Sequence, residues 1–457
     1  MSLRRWQYEC VNKALEHFNE ERHFFCQATP GAGKTRMAAE LASRLLDDGH
    51  IDIVICFAPS CQVVEGIKHT FEAILQRPFD GQIGAAGVAL TYQSIEHKED
   101  SFWRLFKTLR VFAVFDEIHH CSGGDGVQGA NIWGLKIIQQ LQDAAALTLA
   151  MSGTPWRSDE HSIALARYST PEGRLIVDYQ YSLAEAVEEG VCRIPNITLV
   201  DNTKITIEQP GNTNRSYTGF SPLLKQSEAT FESLVTHEEL NLQLLDLSRQ
   251  RLDIVRRTVP DAAGLVVASS IDHAHQISAL LMRMNESSVV VTTHRTDAND
   301  VINEFRYGTA KWVVAVGMIS EGTDIPRLQV CCYLSRIRTE MYFRQVLGRV
   351  LRRRSGLDVE AWMFILAEPE LTRCAQRLMD DLPEHLGVCQ HLRFVSEHGG
   401  FALSTNVELN AWSTMSAIAE AESPPKNRSV SFSQDSEASL GTLVMSGVFR
   451  ERLLAFF

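Results

Sequence analysis

The run Gln27-Ala28-Thr29-Pro30-Gly31-Ala32-Gly33-Lys34-Thr35 sets two closely spaced glycines ahead of a lysine and a hydroxyl. Glycines at 31 and 33 let the backbone curl so that successive N–H groups point inward, which is what phosphate oxygens require. The apolar stretch Phe24-Phe25-Cys26 precedes this turn, and a helical run over 36–46 follows it. Strand, glycine-rich turn and helix thus come in the order of a P-loop, with the partial positive charge of the helix N-terminus facing the anion. In that pattern Gly31, Ala32 and Gly33 offer backbone donors to a nucleotide. Lys34 reaches the β- and γ-phosphates, and Thr35 ligates Mg²⁺. Ala28 stands where the strict pattern has glycine, and the loop alone supports no more than nucleotide binding.

A second constellation follows 82 residues after Lys34, in Val114-Phe115-Asp116-Glu117-Ile118-His119-His120. An apolar strand that ends in two carboxylates is costly unless the carboxylates meet a cation. Asp116 is placed to hold Mg²⁺ through water, and Glu117 to orient or deprotonate an attacking water. The pair belongs with the P-loop as one hydrolytic site.

Elements that could position these residues recur along the chain. Apolar, β-rich runs at 51–57, 88–91, 111–115 and 147–151 form one set; runs at 264–268, 288–292, 312–316, 330–334 and 361–366 form another. Helical patterns separate them, and such alternation predicts parallel sheets covered on both faces. The expected fold class is α/β, with two parallel-sheet domains in series. Domain 1 would span 1–195 and domain 2 would span 259–400. Residues 196–258, rich in Asn, Thr, Gly, Pro and Ser at first and then polar and helical, are expected to be a connector with a small insert. Residues 401–457 form an extension, with a flexible linker at 420–439. Its apolar end, 443–457, either folds back on the core or docks a partner.

At 457 residues the chain is long enough for two or three domains. With 45% hydrophobic and 22% charged residues it is neither disordered nor fibrous. No window approaches the about 18 uninterrupted apolar residues of a membrane span. No apolar segment follows Arg4-Arg5, so no secretory signal is visible and a cytoplasmic protein is expected. The ten cysteines include no Cys-x-x-Cys pair and are expected to be buried thiols in a reducing compartment. Cys374, His385, Cys389, His391 and His398 match no zinc spacing, and that metal reading is set aside. The net charge of −12 argues mildly against a nucleic-acid binder, yet residues 251–354 carry fifteen Arg or Lys against ten Asp or Glu. The cluster Arg336, Arg338, Arg344, Arg349, Arg352, Arg353 and Arg354 has only Glu340 among it.

Taken in order, these motifs resemble those of superfamily 2 helicases and translocases of the DExH type. The resemblance implies that the two α/β domains are tandem RecA-like domains with a cleft between them. Arg4-Arg5-Trp6-Gln7 looks like the adenine-reading element of that family, which implies that Gln7 bonds the base. Ala58-Pro59-Ser60 and Thr91-Tyr92-Gln93-Ser94 sit where family members touch the nucleic-acid backbone, which implies contacts from Pro59, Ser60, Thr91 and Gln93. Ser152-Gly153-Thr154-Pro155 is similar to the motif that couples the ATP site to the track; His119, Ser152 and Thr154 take that role. The strand and turn 264–270 open the second domain and place Ser269 among the track contacts. Residues 317–326 resemble the motif that senses nucleotide through Gly322 and Asp324. Gln345-Val346-Leu347-Gly348-Arg349-Val350-Leu351-Arg352 has the QxxGRxxR form. The resemblance implies Gln345, Arg349 and Arg352 as catalytic residues. Arg349 and Arg352 would face the P-loop across the cleft, where an arginine contributes roughly 10³–10⁵ in rate.

The resemblance covers about residues 3–366. DEIH in place of DEAD and Thr-Tyr-Gln-Ser favour the DNA-handling members, with restriction motors and phage or plasmid helicases most similar. It implies an ATP- and Mg²⁺-dependent helicase or translocase acting on DNA rather than RNA. Two alternatives stay open. One is a partner-gated ATPase subunit of a defence or restriction complex, bound through 440–457; the other is an RNA helicase.

Overall fold

Each of the apolar runs becomes a strand in the computed structural model of the chain. It describes residues 3–122, 132–142, 144–154, 162–170, 175–208, 214–292, 298–317, 325–354, 356, 358–382, 388–395, 401–403 and 442–456. The chain divides into two compact units. The first comprises residues 1–192 with 319–324 and 344–352; the second comprises 193–318, 325–343 and 353–457.

The strands of the first unit are β1 (His23–Ala28), β2 (Ile53–Ala58), β3 (Gly87–Thr91), β4 (Val111–Phe115), β5 (Leu147–Ser152), β6 (Arg167–Tyr168), β7 (Leu175–Ile176) and β8 (Tyr179–Tyr181). Six of them form one sheet in the order β3-β2-β4-β5-β1-β8, with every pair parallel. The central strand β4, Val-Phe-Ala-Val-Phe, is buried at every residue, as a sheet layered between helices demands. Phe57 and Phe115 stack across β2 and β4 with ring centroids 5.3 Å apart. Because the strands are parallel, their C-terminal ends share one edge, where ligand sites of such sheets form. The P-loop leaves β1 there, Pro59-Ser60 leaves β2, Thr91-Tyr92-Gln93 ends β3, Asp116-Glu117 follows β4 and Ser152-Gly153-Thr154 ends β5.

The second unit contributes β9 (Ile194–Asn202), β10 (Ile205–Glu208), β11 (Arg215–Tyr217), β12 (Ala263–Val267), β13 (Ser288–Val291), β14 (Trp312–Ala315), β15 (Leu328–Tyr333), β16 (Glu360–Leu366), β17 (Val388–Val395), β18 (Phe401–Leu403), β19 (Thr442–Met445) and β20 (Phe449–Phe456). Its main sheet runs β13-β14-β12-β15-β16-β9-β20-β17-β18. From β13 to β9 the neighbours are parallel, and β20, β17 and β18 add on antiparallel. A side sheet, β11-β10-β19, is antiparallel.

One expectation about this half is corrected. Residues 196–258 are not a connector, because β9 lies inside the sheet between β16 and β20 and the helix Glu238–Val255 buries Leu240, Leu244, Leu245 and Leu252. The polar residues of β9 hide its strand character, and two of them find carbonyl partners on neighbouring segments. Asn196 Nδ2 reaches Ala361 O at 3.4 Å, and Asn202 Nδ2 reaches Gly447 O at 3.2 Å. Of the two readings of the apolar end, the structure shows the fold-back: β19 pairs with β10, and β20 pairs with β9 on one side and β17 on the other. The linker 420–439, residues His385 and His398, and the side chains of Cys389 and His391 lie outside the described residues. The Cys374 thiol sits 3.8 Å from Arg338 O. Among the described residues no helix is long and apolar enough to cross a membrane.

A buried ion pair ties the start of β9 to the main sheet. Arg193, fully enclosed, forks onto Asp358 (Nη2 to Oδ2, 2.6 Å) and also donates to the carbonyls of Leu328 and Pro326. Asp358 further accepts from the Gln329 amide and, at 3.1 Å, from the Arg354 backbone N–H.

Candidate active site

The P-loop has the backbone its glycines allow. Gly31 and Gly33 hold φ of +85° and +95°, the left-handed region that favours glycine. Gly33 is the N-cap of the helix Lys34–Asp47, and no side chain caps that helix. No Ser or Asp side chain therefore competes with a phosphate at this helix start. Arg4 and Gln7 brace the loop from outside. Arg4 Nη1 donates to Ala32 O at 2.6 Å and Gln7 Nε2 donates to Gly33 O at 2.9 Å. Gln7 Oε1 accepts from the Arg4 N–H at 2.9 Å, and the residue is buried. Gln7 was expected to face adenine; here its amide is engaged with the loop and with its own helix terminus. The i, i+3 spacing of Arg4 and Gln7 at a helix start was the signal for that cap.

Lys34 is buried and turns its ammonium onto Glu117 (Nζ to Oε1, 3.1 Å) and the Ala28 carbonyl (3.3 Å). Glu117 adopts φ +50°, ψ +51°, a strained conformation for a non-glycine residue and one that clusters at functional sites. Burial raises the Glu117 pKa, but the charge of Lys34, then that of His119, outweighs it and the carboxyl is lowered to about 2. The neighbouring Asp116 goes the other way. Burial first, and the Glu117 charge second, raise it to about 6. Its Oδ1 is buried with no hydrogen-bond partner. A desolvated carboxylate with an unused oxygen, beside a lysine-anchored carboxylate, fits a divalent cation.

His119 connects this pair to the next strand end. Its Nδ1 lies 2.8 Å from Ser152 Oγ and 3.4 Å from Glu117 Oε2, while Gln345 Nε2 lies 3.3 Å from its Nε2. With the Gln345 amide donating to Nε2, the ring proton sits on Nδ1 and is shared toward Ser152 and Glu117. Ser152 Oγ also accepts from the Thr154 N–H at 3.1 Å, and the Gly153 N–H donates to Glu117 Oε2 at 3.3 Å. His119, Ser152, Thr154, Glu117 and Gln345 thus form one hydrogen-bonded group.

The segment 344–352, which belongs to the first unit, also packs on the P-loop. A Cβ at Gly348 would lie 2.5 Å from Pro30 Cβ, and one at Gly31 would lie 3.2 Å from Arg352 Cγ. Close packing therefore requires the glycine of QxxGRxxR, and the Arg352 stem lies beside the phosphate loop. Arg349 is in the last turn of the helix Glu340–Val350. Gly322 and Asp324 lie outside the described residues.

The expected track contacts divide. Pairing of Ala58 with Thr91 brings Pro59, Ser60, Thr91 and the exposed Gln93 together at the ends of neighbouring strands. Ser60 and Thr91 use their hydroxyls as caps, accepting from the Val63 N–H at 3.4 Å and the Ser94 N–H at 3.3 Å. Ser269 belongs to the second unit and is buried, its Oγ 2.8 Å from His273 Nδ1. Its hydroxyl faces inward, so the structure does not present it as a surface contact.

Comparison with known proteins fits this geometry. The family model for "Type III restriction enzyme, res subunit" matches residues 1–157, the stretch that contains both the P-loop and DEIH. The chain carries the core of a superfamily 2 helicase. An uncharacterized protein of Mycobacterium leprae is 30% identical to this core over 390 residues, which cover 82% of this chain and 64% of that protein. The chain thus spans just under two thirds of its mycobacterial relative. The DNA 3'-5' translocase XPB2 of Sulfurisphaera tokodaii is 24% identical over 391 residues, covering 80% and 81% of the two chains. Among solved structures, a fragment described as an HsdR subunit of a type I restriction enzyme from Vibrio vulnificus superposes with a TM-score of 0.56. Its identity is 16%, over 83% of this chain and 67% of that one, a likeness of fold. These relationships support a nucleic-acid motor.

Proposed function

We propose that this helicase core is an Mg²⁺- and ATP-dependent motor on DNA, a translocase or helicase. The observation that carries the reading is the Lys34–Glu117 pair beside the unpartnered Asp116 oxygen, at the sheet edge where the P-loop emerges. Gly31, Ala32 and Gly33 bind the phosphates through backbone N–H groups, and Lys34 leaves Glu117 to bind the β- and γ-phosphates. Thr35 and Asp116 hold Mg²⁺, which when bound neutralises charge on the phosphate oxygens. Glu117, released from Lys34 but still positioned by the Gly153 N–H and His119, orients the attacking water and accepts its proton. Arg349 and Arg352 offset the charge that builds on the γ-phosphate. Gly322 and Asp324 are proposed to sense the nucleotide, and His119, Ser152, Thr154 and Gln345 to relay its state.

DNA as the track is supported by the DNA translocase among the relatives and by the joined strand ends carrying Pro59, Ser60, Thr91 and Gln93. ATP hydrolysis by wild type and Glu117→Gln, with no polymer, single-stranded DNA, duplex DNA, forked DNA and RNA, tests the reading. Stimulation by a DNA form, absent in the variant, is expected. Stimulation by RNA alone would reassign the track, and activity indifferent to every polymer would overturn the motor reading in favour of a partner-gated ATPase.

A further inference from the structure

Tyr92 occupies the second position of the Thr91-Tyr92-Gln93-Ser94 turn and is completely buried. Thr91 caps the 3₁₀ turn Tyr92–His97 that follows β3, and this sends the Tyr92 side chain into the core while Gln93 stays exposed. A phenol enclosed there must place its O–H on an acceptor. The acceptor is the main-chain carbonyl of Asp116, at 2.8 Å. β2 lies between β3 and β4 in the sheet, so this hydrogen bond passes over one strand to join the end of β3 to the end of β4.

The bond falls on a sensitive peptide. The Asp116 N–H still pairs with the Phe57 carbonyl at 2.9 Å, as a continuation of the ladder. The next residue, Glu117, then turns to φ +50°. The Asp116–Glu117 peptide is therefore the point where the chain leaves the sheet and enters a strained conformation. The Tyr92 hydroxyl holds the carbonyl of that peptide. Tyr92 itself is fixed from the other side: Trp133 stacks on it at 6.1 Å and 16° and donates Nε1–H to Glu96 Oε1 at 2.7 Å. Lys136 donates to the carbonyls of Ile95 and Glu96 at 3.2 and 2.9 Å. The turn that carries Thr91 and Gln93 is thus tied by these contacts to the hydroxyl that holds the Asp116–Glu117 peptide.

We infer that Tyr92 is a positioning residue through which contact of the 91–94 turn with the nucleic-acid strand sets the Asp116–Glu117 peptide for hydrolysis. The inference rests on the motor reading above. Displacement of the turn on binding the strand is transmitted through the Tyr92 hydroxyl to the carbonyl between the two acidic residues. No element of the P-loop or of the arginine segment is needed for that step.

Tyr92→Phe removes the hydroxyl and keeps the ring and its stack on Trp133. The measurements are Mg-ATP affinity, unstimulated ATP hydrolysis, hydrolysis against increasing single-stranded and duplex DNA, and binding of fluorescently labelled DNA. In the variant, unstimulated rate, ATP affinity and DNA affinity should stay within about twofold of wild type, while the stimulated kcat falls about tenfold, the scale of one well-placed hydrogen bond. Trp133→Phe is the companion. It gives up a hydrogen bond in the same cluster but keeps the Tyr92 hydroxyl, and should retain stimulation. Equal loss of stimulated and unstimulated rates in Tyr92→Phe would overturn the inference, as would no loss of stimulation, or the same loss in Trp133→Phe. A wild type that no DNA or RNA stimulates would overturn the motor reading and this coupling with it. That result appears in the wild-type control, whereas an error about Tyr92 alone appears only in the variant.

Discussion

Lys34 Nζ and Glu117 Oε1 lie 3.1 Å apart, so the residue proposed to bind phosphate and the residue proposed to orient water neutralise one another. A triphosphate competes with Glu117 for the same ammonium. Glu117→Gln should therefore lose roughly 10²–10⁴ in kcat, the range for a missing general base, yet bind Mg-ATP as tightly as wild type or more tightly. Lys34→Ala should lose binding itself. Calorimetric titration of Mg-ATP beside steady-state rates separates the two; an equal loss of affinity in both variants would contradict the competition.

Asp116 gives a stability prediction with a definite sign. Its folded-state pKa of about 6 is above the ordinary carboxylate value, so the folded protein binds this proton more tightly than the unfolded chain does. The contribution of Asp116 to stability therefore declines as pH rises from about 4 to about 6, and above that the buried charge is a full penalty. Asp116→Asn should raise stability at pH 8 without Mg²⁺ by on the order of 2–3 kcal/mol, and the gain should vanish below about pH 4. Mg²⁺ should narrow the gap by stabilising wild type alone, while the variant loses hydrolysis. Urea midpoints across pH, with and without Mg²⁺, check this; a variant less stable than wild type at pH 8 would contradict it.

The P-loop, DEIH and the strands of both parallel sheets were legible because each rests on local pattern: glycines before a lysine, acids after an apolar run, apolar blocks between helices. Positions that depend on partners far along the chain were not. β9 was concealed by Asn196, Thr198, Asp201 and Asn202, whose polarity is that of a loop until Ala361 and Gly447 supply acceptors. Asp201 is enclosed because Arg450, 249 residues on, bonds it at 2.6 Å. Gln7 was read for its family role, whereas its immediate neighbours, Arg4 and Gly33, decide what its amide does. Tyr92 stood inside a recognised motif, but no spacing in the sequence points from it to the carbonyl of Asp116. The helicase core was readable from the order of its motifs, and the contacts that tune it were not.

Arg193 and Asp358 are a buried pair whose loss should be felt across the second unit. Asp358→Ala takes from the enclosed guanidinium the carboxylate it forks onto, and removing one partner of such a pair costs about 3–5 kcal/mol. Replacing both, as Arg193→Met with Asp358→Leu, should cost less than Asp358→Ala alone, because no uncompensated charge remains. Denaturant titration of the three proteins decides it; a double variant less stable than the single would show that the hydrogen bonds to Leu328 and Pro326 matter more than the charge pair.

The C-terminal strand allows a test between a structural role and a docking role. Removing residues 442–457 takes away β19 and β20 and leaves one edge each of β9, β10 and β17 without its neighbour. β9 carries the buried Ile197, Leu199 and Val200, and a long apolar strand with an open edge templates aggregation. The truncated chain should give little soluble protein, and what is soluble should elute as aggregate. A milder version keeps the backbone. Leu454, which pairs in register with Ile197 and is buried, should cost about 2–5 kcal/mol as Leu454→Ala while leaving the elution volume that of wild type. A docking peptide would behave in the opposite way, because its removal would leave a soluble protein of unchanged urea midpoint. Size-exclusion profiles of the truncated chain and the midpoint of Leu454→Ala therefore separate the two roles, and a soluble truncated chain free of aggregate would show that the second unit does not need β20.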